Sequence, residues 1–586
     1  MNYNNASPSL EVSKADAATA DDVVTGESPW RPIGTVVGNA GTSEFTFILE
    51  RFRGTVGDVI AVPLEVPSAN GGRREIMVWA RITDISRFNP FFPYEAAHEL
   101  ANEGLDLLDT VLSNSRDQLE AHTLVLGCTN SDDFSALSPL NYPVQPASRV
   151  YHPPSEAIRQ LLVGGRSGEV ELQVGTLLAR PDVDVGISAN RLVSRHLAIL
   201  AMTGGGKTVA ARRIIRELSN IRYPLVILDP HGDYIGLWRC KNLLGDADVR
   251  LFYPELTVTE DGEDLIFRLI EQMTQGLTEP QLDMLGQVIA NNKAVAGVSA
   301  LQYCTKLRDA LKKMNVDGRR EGTRWAIVRS LNLVINRLVR MKNSNDLMRS
   351  RLSELSFEPL PNPVAEADKI VRPGQISIIY LGGYDHVTQC SIAAITLDSL
   401  FDHRASMSGV IPPFMGIIEE AHTFIPSARE GTSEAVSLPV VRRIITEGRK
   451  FGTGLILISQ RPSRVDETII SQCNSFLVLR LVNPRDQTYV QNIMENLSKS
   501  DARMLPGFGP GQGIVSGQVV RFPLPVMIKM DSELLASEIG DENFIKRVRE
   551  WKPDKAAAQR QKNRQTMDKI RKVAARRTSG KGRPKG

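Results

Sequence analysis

At 586 residues the chain is too long for a single hydrophobic core, and its length implies two to four domains. Its 42% hydrophobic and 23% charged residues are those of an ordinary globular protein, and no apolar run approaches the roughly 18–20 residues a bilayer requires, so no membrane contact is expected. The net charge of +3 is uneven: Lys555–Gly586 holds twelve Lys/Arg and one acid, Asp568, a local +11, which leaves +3 less +11, or −8, on the rest.

Met1–Val24 lacks a basic start followed by an apolar stretch, so no secretory leader is expected. Cys128, Cys240, Cys304, Cys390 and Cys473 are far apart and have neither zinc nor redox-motif spacing. They are expected to be free thiols in a reducing, cytoplasmic compartment.

Residues 1–27 are rich in Ala, Asp, Ser and Asn and are expected to be disordered. From Ile33 the period becomes strand-like: IGTVVG, EFTFILE, GDVIAVPLEV and IMVWARITDI are short runs separated by Gly, Asn and Pro. That grouping predicts a small β-barrel or sandwich. Pro93–Leu119 has a helical pattern, and HTLVLGCT and GEVELQVGTLLA return to strand, so residues 28–185 are taken as one β-rich domain.

Residues 186–535 have a different grammar. His196–Leu200, Pro224–Leu228, Ile376–Leu381, Phe414–Ile418, Gly454–Ser459 and Ser475–Leu479 are short continuous apolar runs alternating with amphipathic helices. Strands apolar on both faces indicate a parallel sheet covered on both sides, an α/β domain. Residues 263–355 contain no strand-like run and predict a helical-bundle insertion, with helices near 263–273, 279–295, 297–314 and 323–344, broken at Gly276, Gly297 and Asp317-Gly318. Residues 536–586 form the basic tail, either an arm for a polyanion or a solvated end.

Four motifs carry chemistry. In HLAILAMTGGGKTVAARRII an apolar strand enters Thr203-Gly204-Gly205-Gly206-Lys207-Thr208, and a helix beginning with Val209 follows. This is the setting of a P-loop, in which glycines let backbone N–H groups wrap phosphate oxygens of ATP. Lys207 would reach the β- and γ-phosphates, and the Thr208 hydroxyl would ligate Mg²⁺. Ala201 stands where the P-loop pattern begins with glycine.

In PFMGIIEEAHTFIP a buried strand ends in two acids: Glu419 is assigned to the metal through water, and Glu420 to polarising the attacking water. In ITEGRKFGTGLILISQRPSRV, Gln460 ends a strand where a γ-phosphate sensor belongs. Arg449 is the candidate arginine finger, with Arg443 and Arg461 as competitors. In VILDPHGDYIGL, Asp229, His231 and Asp233 have too few neighbouring ligands for a metal site and are read as a structural turn. Together these motifs predict a RecA-like P-loop fold.

RHLAILAMTGGGKT, LDPHGDY, IIEEAHTF, TEGRKFGTGLILISQRPS and IISQCNSFLVLRLVNPRDQ resemble, in order, blocks of the HerA family within the HerA–FtsK group of DNA pumps. The early strands resemble that family's barrel, and SDARMLPGFGPGQGIVSGQVVRFPLPVMIKM its closing segment. The resemblance implies an ATP-driven DNA translocase or helicase, built as a homohexamer with ATP sites between subunits and duplex DNA in the central channel. It also implies a nuclease or other effector docked on the barrel face, in end processing or phage defence. An alternative is a ring scaffold that assembles a nuclease or NADase under ATP control with little translocation.

Overall fold

The computed structural model describes residues 29–549 apart from 52, 68–71, 90–116, 165–167, 259–262, 275, 296, 407–409, 429–434, 495–496 and 536–547. The N-terminal segment, the basic tail and nearly all of the helical pattern at Pro93–Leu119 lie outside the described residues.

Among the described residues, six strands come first: β1 (Arg31–Val37), β2 (Glu44–Leu49), β3 (Val59–Pro67), β4 (Arg73–Phe88), β5 (Gln118–Asn130) and β6 (Arg149–His152). They close into a barrel in the order β1-β2-β5-β4-β3-β6. Alternation explains it: in β2, Phe45, Phe47 and Leu49 point into the core while their neighbours face outward, and closure leaves no unpaired edge. Gln118 and Leu119, the end of the expected helical pattern, instead open β5.

Among the described residues, the strands that follow are β7 (Glu171–Leu177), β8 (Asp184–Ser188), β9 (His196–Leu200), β10 (Leu225–Asp229), β11 (Asp248–Tyr253), β12 (Thr257–Val258), β13 (Val298–Ser299), β14 (Phe357–Pro359), β15 (Gln375–Tyr380), β16 (Phe414–Ile418), β17 (Thr453–Ser459), β18 (Ser475–Leu479), β19 (Gln512–Gly517) and β20 (Leu524–Ile528). The chain divides into two units, the described parts of Met1–Leu218 with Glu420–Lys529 and of Ser219–Glu419 with Met530–Gly586.

The first unit holds the barrel and strands in the order β17-β9-β18-β19-β20-β7-β8. β17, β9 and β18 are parallel, and the rest pair antiparallel. β7 therefore lies beside β20 and not in the barrel. A buried ion pair joins Arg81 of β4 to Asp501, on the helix Lys499–Met504, at 2.5 Å.

The second unit holds the parallel strands β14-β11-β15-β10-β16 and the helical insertion. Every residue of β10 and β16 is buried, as strands covered on both faces require. The insertion helices are Glu263–Met273, Glu279–Asn291, Ala300–Lys313 and Glu321–Arg351. The last runs seven residues past the expected end, because Asn345 is buried with partners of its own, the Pro254 carbonyl at 2.9 Å and the Tyr384 hydroxyl. β13 pairs with β12, a two-residue ladder in a stretch where no strand was expected. Among the described residues, no helix is long and apolar enough to cross a membrane.

Candidate nucleotide site

The glycine-rich loop leaves β9 between two neighbours. Ala201 donates its N–H to the Ser459 carbonyl at the end of β17 (3.2 Å), and Met202 donates to the Arg480 carbonyl just past β18 (2.9 Å). Ala201 is buried and its φ is not positive, so a methyl replaces the usual first glycine without backbone strain. Gly204 and Gly206 have φ of 76° and 99°, a region that penalises side chains. A Cβ on Gly206 would also come within 2.8 Å of the Gly511 nitrogen, which donates to the Gly205 carbonyl. Lys207, Thr208 and Val209 begin the helix Lys207–Asn220, so its unsatisfied N–H groups face the loop.

Three distant parts of the sequence meet at this loop. Lys207 Nζ lies 3.5 Å from Glu420 Oε1, with only 10% and 8% of the two side chains exposed. Glu420 Oε2 lies 3.2 Å from His422 Nδ1, which is itself 3.4 Å from the Ser459 hydroxyl. Thr203 Oγ1 donates to Gln460 Oε1 at 2.6 Å. Glu420 adopts φ 50° and ψ 50°, left-handed geometry that costs a non-glycine residue about 1 kcal/mol or more. Such strain persists where surrounding contacts hold a side chain in a required position.

In the second unit, Glu419 Oε2 accepts a 2.6 Å hydrogen bond from the Tyr234 hydroxyl. Burial first, and the Glu419 charge second, hold the Tyr234 phenol far above its ordinary range, so it is a fixed donor. Tyr234 is placed by Asp229, whose carboxylate accepts N–H bonds from His231, Gly232, Asp233 and Tyr234 at 2.7–3.3 Å. Burial pushes Asp229 up to about 6 against the lowering effect of those N–H groups. Both its oxygens are engaged by backbone, the geometry of a structural turn. Among the described residues, no group of three or more His, Cys, Asp or Glu is arranged to hold a metal ion.

Arg449 is exposed in the last turn of the helix Leu438–Phe451, just before β17 begins. The seven residues of β17 put about 20 Å between it and Gln460, so within one chain Arg449 stands at the opposite end of the strands from the loop. Arg195 lies beside it: burial first, then the charges of Arg449 and Arg191, hold the Arg195 guanidinium below its ordinary range. Of the competitors, Arg443 faces Glu447 at 4.0 Å one helical turn away, and Arg461 is exposed immediately after Gln460.

Tyr234, His422, Arg195 and Arg480 were not singled out from sequence. His422 had a signal in its spacing, two residues beyond Glu420. Arg480, with a buried Nε that has no hydrogen-bond partner among the described residues, had none.

Residues 172–400 match the family model described as helicase HerA, central domain. The chain is 27% identical over 464 residues to the DNA double-strand break repair helicase HerA of Pyrococcus furiosus, covering 71% of this chain and 79% of that protein. It is 28% identical over 543 residues to a probable helicase of Methanocaldococcus jannaschii, covering 87% of this chain and 98% of that one. Among solved structures, VirB4 of Thermoanaerobacter pseudethanolicus superimposes with a TM-score of 0.41 at 12% identity, over 62% of this chain and 97% of its own.

Proposed function

We propose that the chain is a HerA-type helicase, a P-loop ATPase that acts as an ATP-driven DNA translocase or helicase and works as a homohexameric ring. The observation that carries this reading is the meeting of Lys207, Glu420 and the Thr203–Gln460 pair at one loop, while Arg449 stands at the far end of the same strands. A ring places the far end of one subunit against the loop of the next. Arg449 is then the trans finger, with Arg195 beside it.

In this mechanism Lys207 holds the β- and γ-phosphates, Glu420 orients and polarises the attacking water, and Gln460 senses the γ-phosphate through its contact with the loop. His422 Nδ1 stands 3.2 Å from the other Glu420 oxygen, where a protonated imidazole would pair with it. The glycine conformations and the adjacent Thr208 hydroxyl fit a nucleotide with its Mg²⁺, and Glu419 is the proposed carboxylate of the metal's water shell. Bound Mg²⁺ neutralises phosphate charge during transfer. Duplex DNA passes through the ring channel, and a nuclease or other effector docks on the barrel face, in end processing or phage defence.

The test is ATP hydrolysis with and without linear duplex DNA. Wild-type protein is expected to be stimulated by DNA. Lys207→Ala should lose nucleotide binding, and Glu420→Gln should keep binding without hydrolysis. Glu420→Gln turnover near the wild-type rate removes Glu420 as the base. ATP-dependent assembly with an effector but no DNA stimulation favours the scaffold.

A further inference from the structure

A cavity of about 500 Å³ opens in the first unit, away from the glycine-rich loop. It lies where β18 begins and β19 ends, whereas the loop is held at the other end of β18, through the Arg480 carbonyl. The five residues of β18 separate the two places by about 16 Å. Gly517 is part of the lining: at φ 93° it turns the chain so closely over Asn474 that a Cβ would meet the Asn474 carbonyl at 2.2 Å. Gln518 is then locked by donating its N–H to that same carbonyl at 2.9 Å.

Two guanidiniums line this cavity, Arg191 and Arg521. Arg191 Nη1 donates to the Gln518 carbonyl, and Arg521 Nη1 to the Leu161 carbonyl, each at 3.2 Å. One hydrogen bond leaves most of a guanidinium's five donors uncommitted. Burial first, and then the charge of Arg191, hold Arg521 below its ordinary range. Arg191 acts in the same way on Arg195, which is also depressed by Arg449. None of these four arginines has an ion-pair partner among the described residues, whereas Arg81 and Arg213 do; Arg191 and Arg449 are exposed, and Arg195 and Arg521 are half-buried. The lining holds no carboxylate among the described residues, so an anion is the ligand these two guanidiniums, Arg191 and Arg521, fit.

The remaining wall defines the ligand further. Phe476, Ile493 and Val520 are apolar and mostly buried, and Asn474 and Gln518 offer amides beside them. A cavity of this size, lined by two guanidiniums, amides and a few apolar side chains, suits an organic anion of nucleotide dimensions. A duplex backbone presents its phosphates on a broad convex surface and does not enter such a space.

We propose that this cavity is a second nucleotide site, taking a nucleoside phosphate with its phosphates on Arg191 and Arg521 and its base against Phe476, Ile493 and Val520. It is distinct from the proposed ATP site at Lys207 and is occupied independently of hydrolysis. A nucleotide held here senses nucleotide level without being consumed.

The test is the stoichiometry of ADP binding to the full chain by equilibrium dialysis. Wild-type protein is expected to bind two ADP per chain, Lys207→Ala one, the pair Arg191→Ala/Arg521→Ala one, and the three changes together none. ATP hydrolysis retained by the arginine pair shows that it is folded. If hydrolysis is lost, Arg521→Gln, which keeps an N–H for the Leu161 carbonyl, is expected to weaken the second ADP at least tenfold. One ADP per chain in wild-type protein overturns the proposal, as does a second ADP indifferent to both arginines. A fall in duplex DNA affinity without loss of an ADP overturns it in favour of a DNA contact. If Lys207→Ala still binds two ADP while the arginine pair binds one, the second site stands and the assignment of Lys207 fails.

Discussion

The ion pair between Arg81 and Asp501 is the contact whose removal has the most predictable consequence. Both side chains are sealed, at 1% and 2% exposure, and Arg81 Nη2 reaches Asp501 Oδ1 at 2.5 Å. Arg81 Nε and Nη1 are buried with no hydrogen-bond partner among the described residues, so Asp501 is the only acceptor found for this guanidinium. Asp501 has other work: its Oδ2 accepts the Ser498 N–H at 3.3 Å while the Ser498 hydroxyl oxygen accepts the Asp501 N–H at 3.1 Å, the capping box of the helix Lys499–Met504.

Removing one partner of a buried pair costs about 3–5 kcal/mol, and losing a cap about 0.5–2 kcal/mol. Asp501→Leu is therefore expected to cost more than Arg81→Met, because it strands the cation and also opens the cap. The double variant should recover most of the loss, since apolar groups of similar volume replace both charges. At 1.4 kcal/mol per tenfold, a 3 kcal/mol loss raises the opening equilibrium more than 100-fold. Native-state proteolysis across a urea series measures it. The effect should reach the loop, because this helix leads through Leu505, whose carbonyl accepts from Leu481 N–H, to Gly511 against Gly205. ATP affinity should weaken in parallel. Single variants within 1 kcal/mol of wild type, or a double variant no more stable than Asp501→Leu, would refute this reasoning.

Arg449→Ala should lower hydrolysis by about 10³ to 10⁵, and mixing it with Glu420→Gln subunits should restore activity, because some interfaces regain both groups; no rescue in confirmed mixed rings rejects the trans finger. Tyr234→Phe removes a hydrogen bond to a buried carboxylate, about 1.5–3 kcal/mol, and should raise the Mg²⁺ needed for half-maximal hydrolysis; an unchanged Mg²⁺ titration detaches Tyr234 from the site. His196 accepts the Leu455 N–H at Nδ1, and burial holds its pKa down to about 4 against an ordinary 6.5. As pH falls from about 6.5 to about 4 the unfolded chain takes a proton that the fold refuses, so stability drops by about 3 kcal/mol, a slope that His196→Gln should flatten in urea titrations. Truncation after Pro553 removes the twelve basic groups of the tail and should leave basal hydrolysis intact while DNA affinity and its salt dependence fall; four engaged phosphates would give a log–log slope steeper than about −3, and superimposable slopes reject the arm.

Local chemistry was legible in the residues themselves. A P-loop is a contiguous segment whose glycines answer to local backbone geometry, and strands buried on both faces must be continuously apolar, so Thr203–Thr208 and most of β9, β10 and β15–β18 could be located without coordinates. The helical insertion was equally readable, because periodicity of 3.6 depends only on neighbours in sequence.

What the sequence could not show is which distant groups meet. Ala201 appears as a defect until its negative φ is known. The strain at Glu420 belongs to the turn after a buried strand and has no counterpart in residue type. Tyr234 under Glu419, Arg480 beside the loop, β7 paired to β20 and the row from Arg449 through Arg195 and Arg191 to Arg521 all depend on strand order. Strand order is set by long-range burial and hydrogen bonding summed over the fold, and no short window of sequence carries that information.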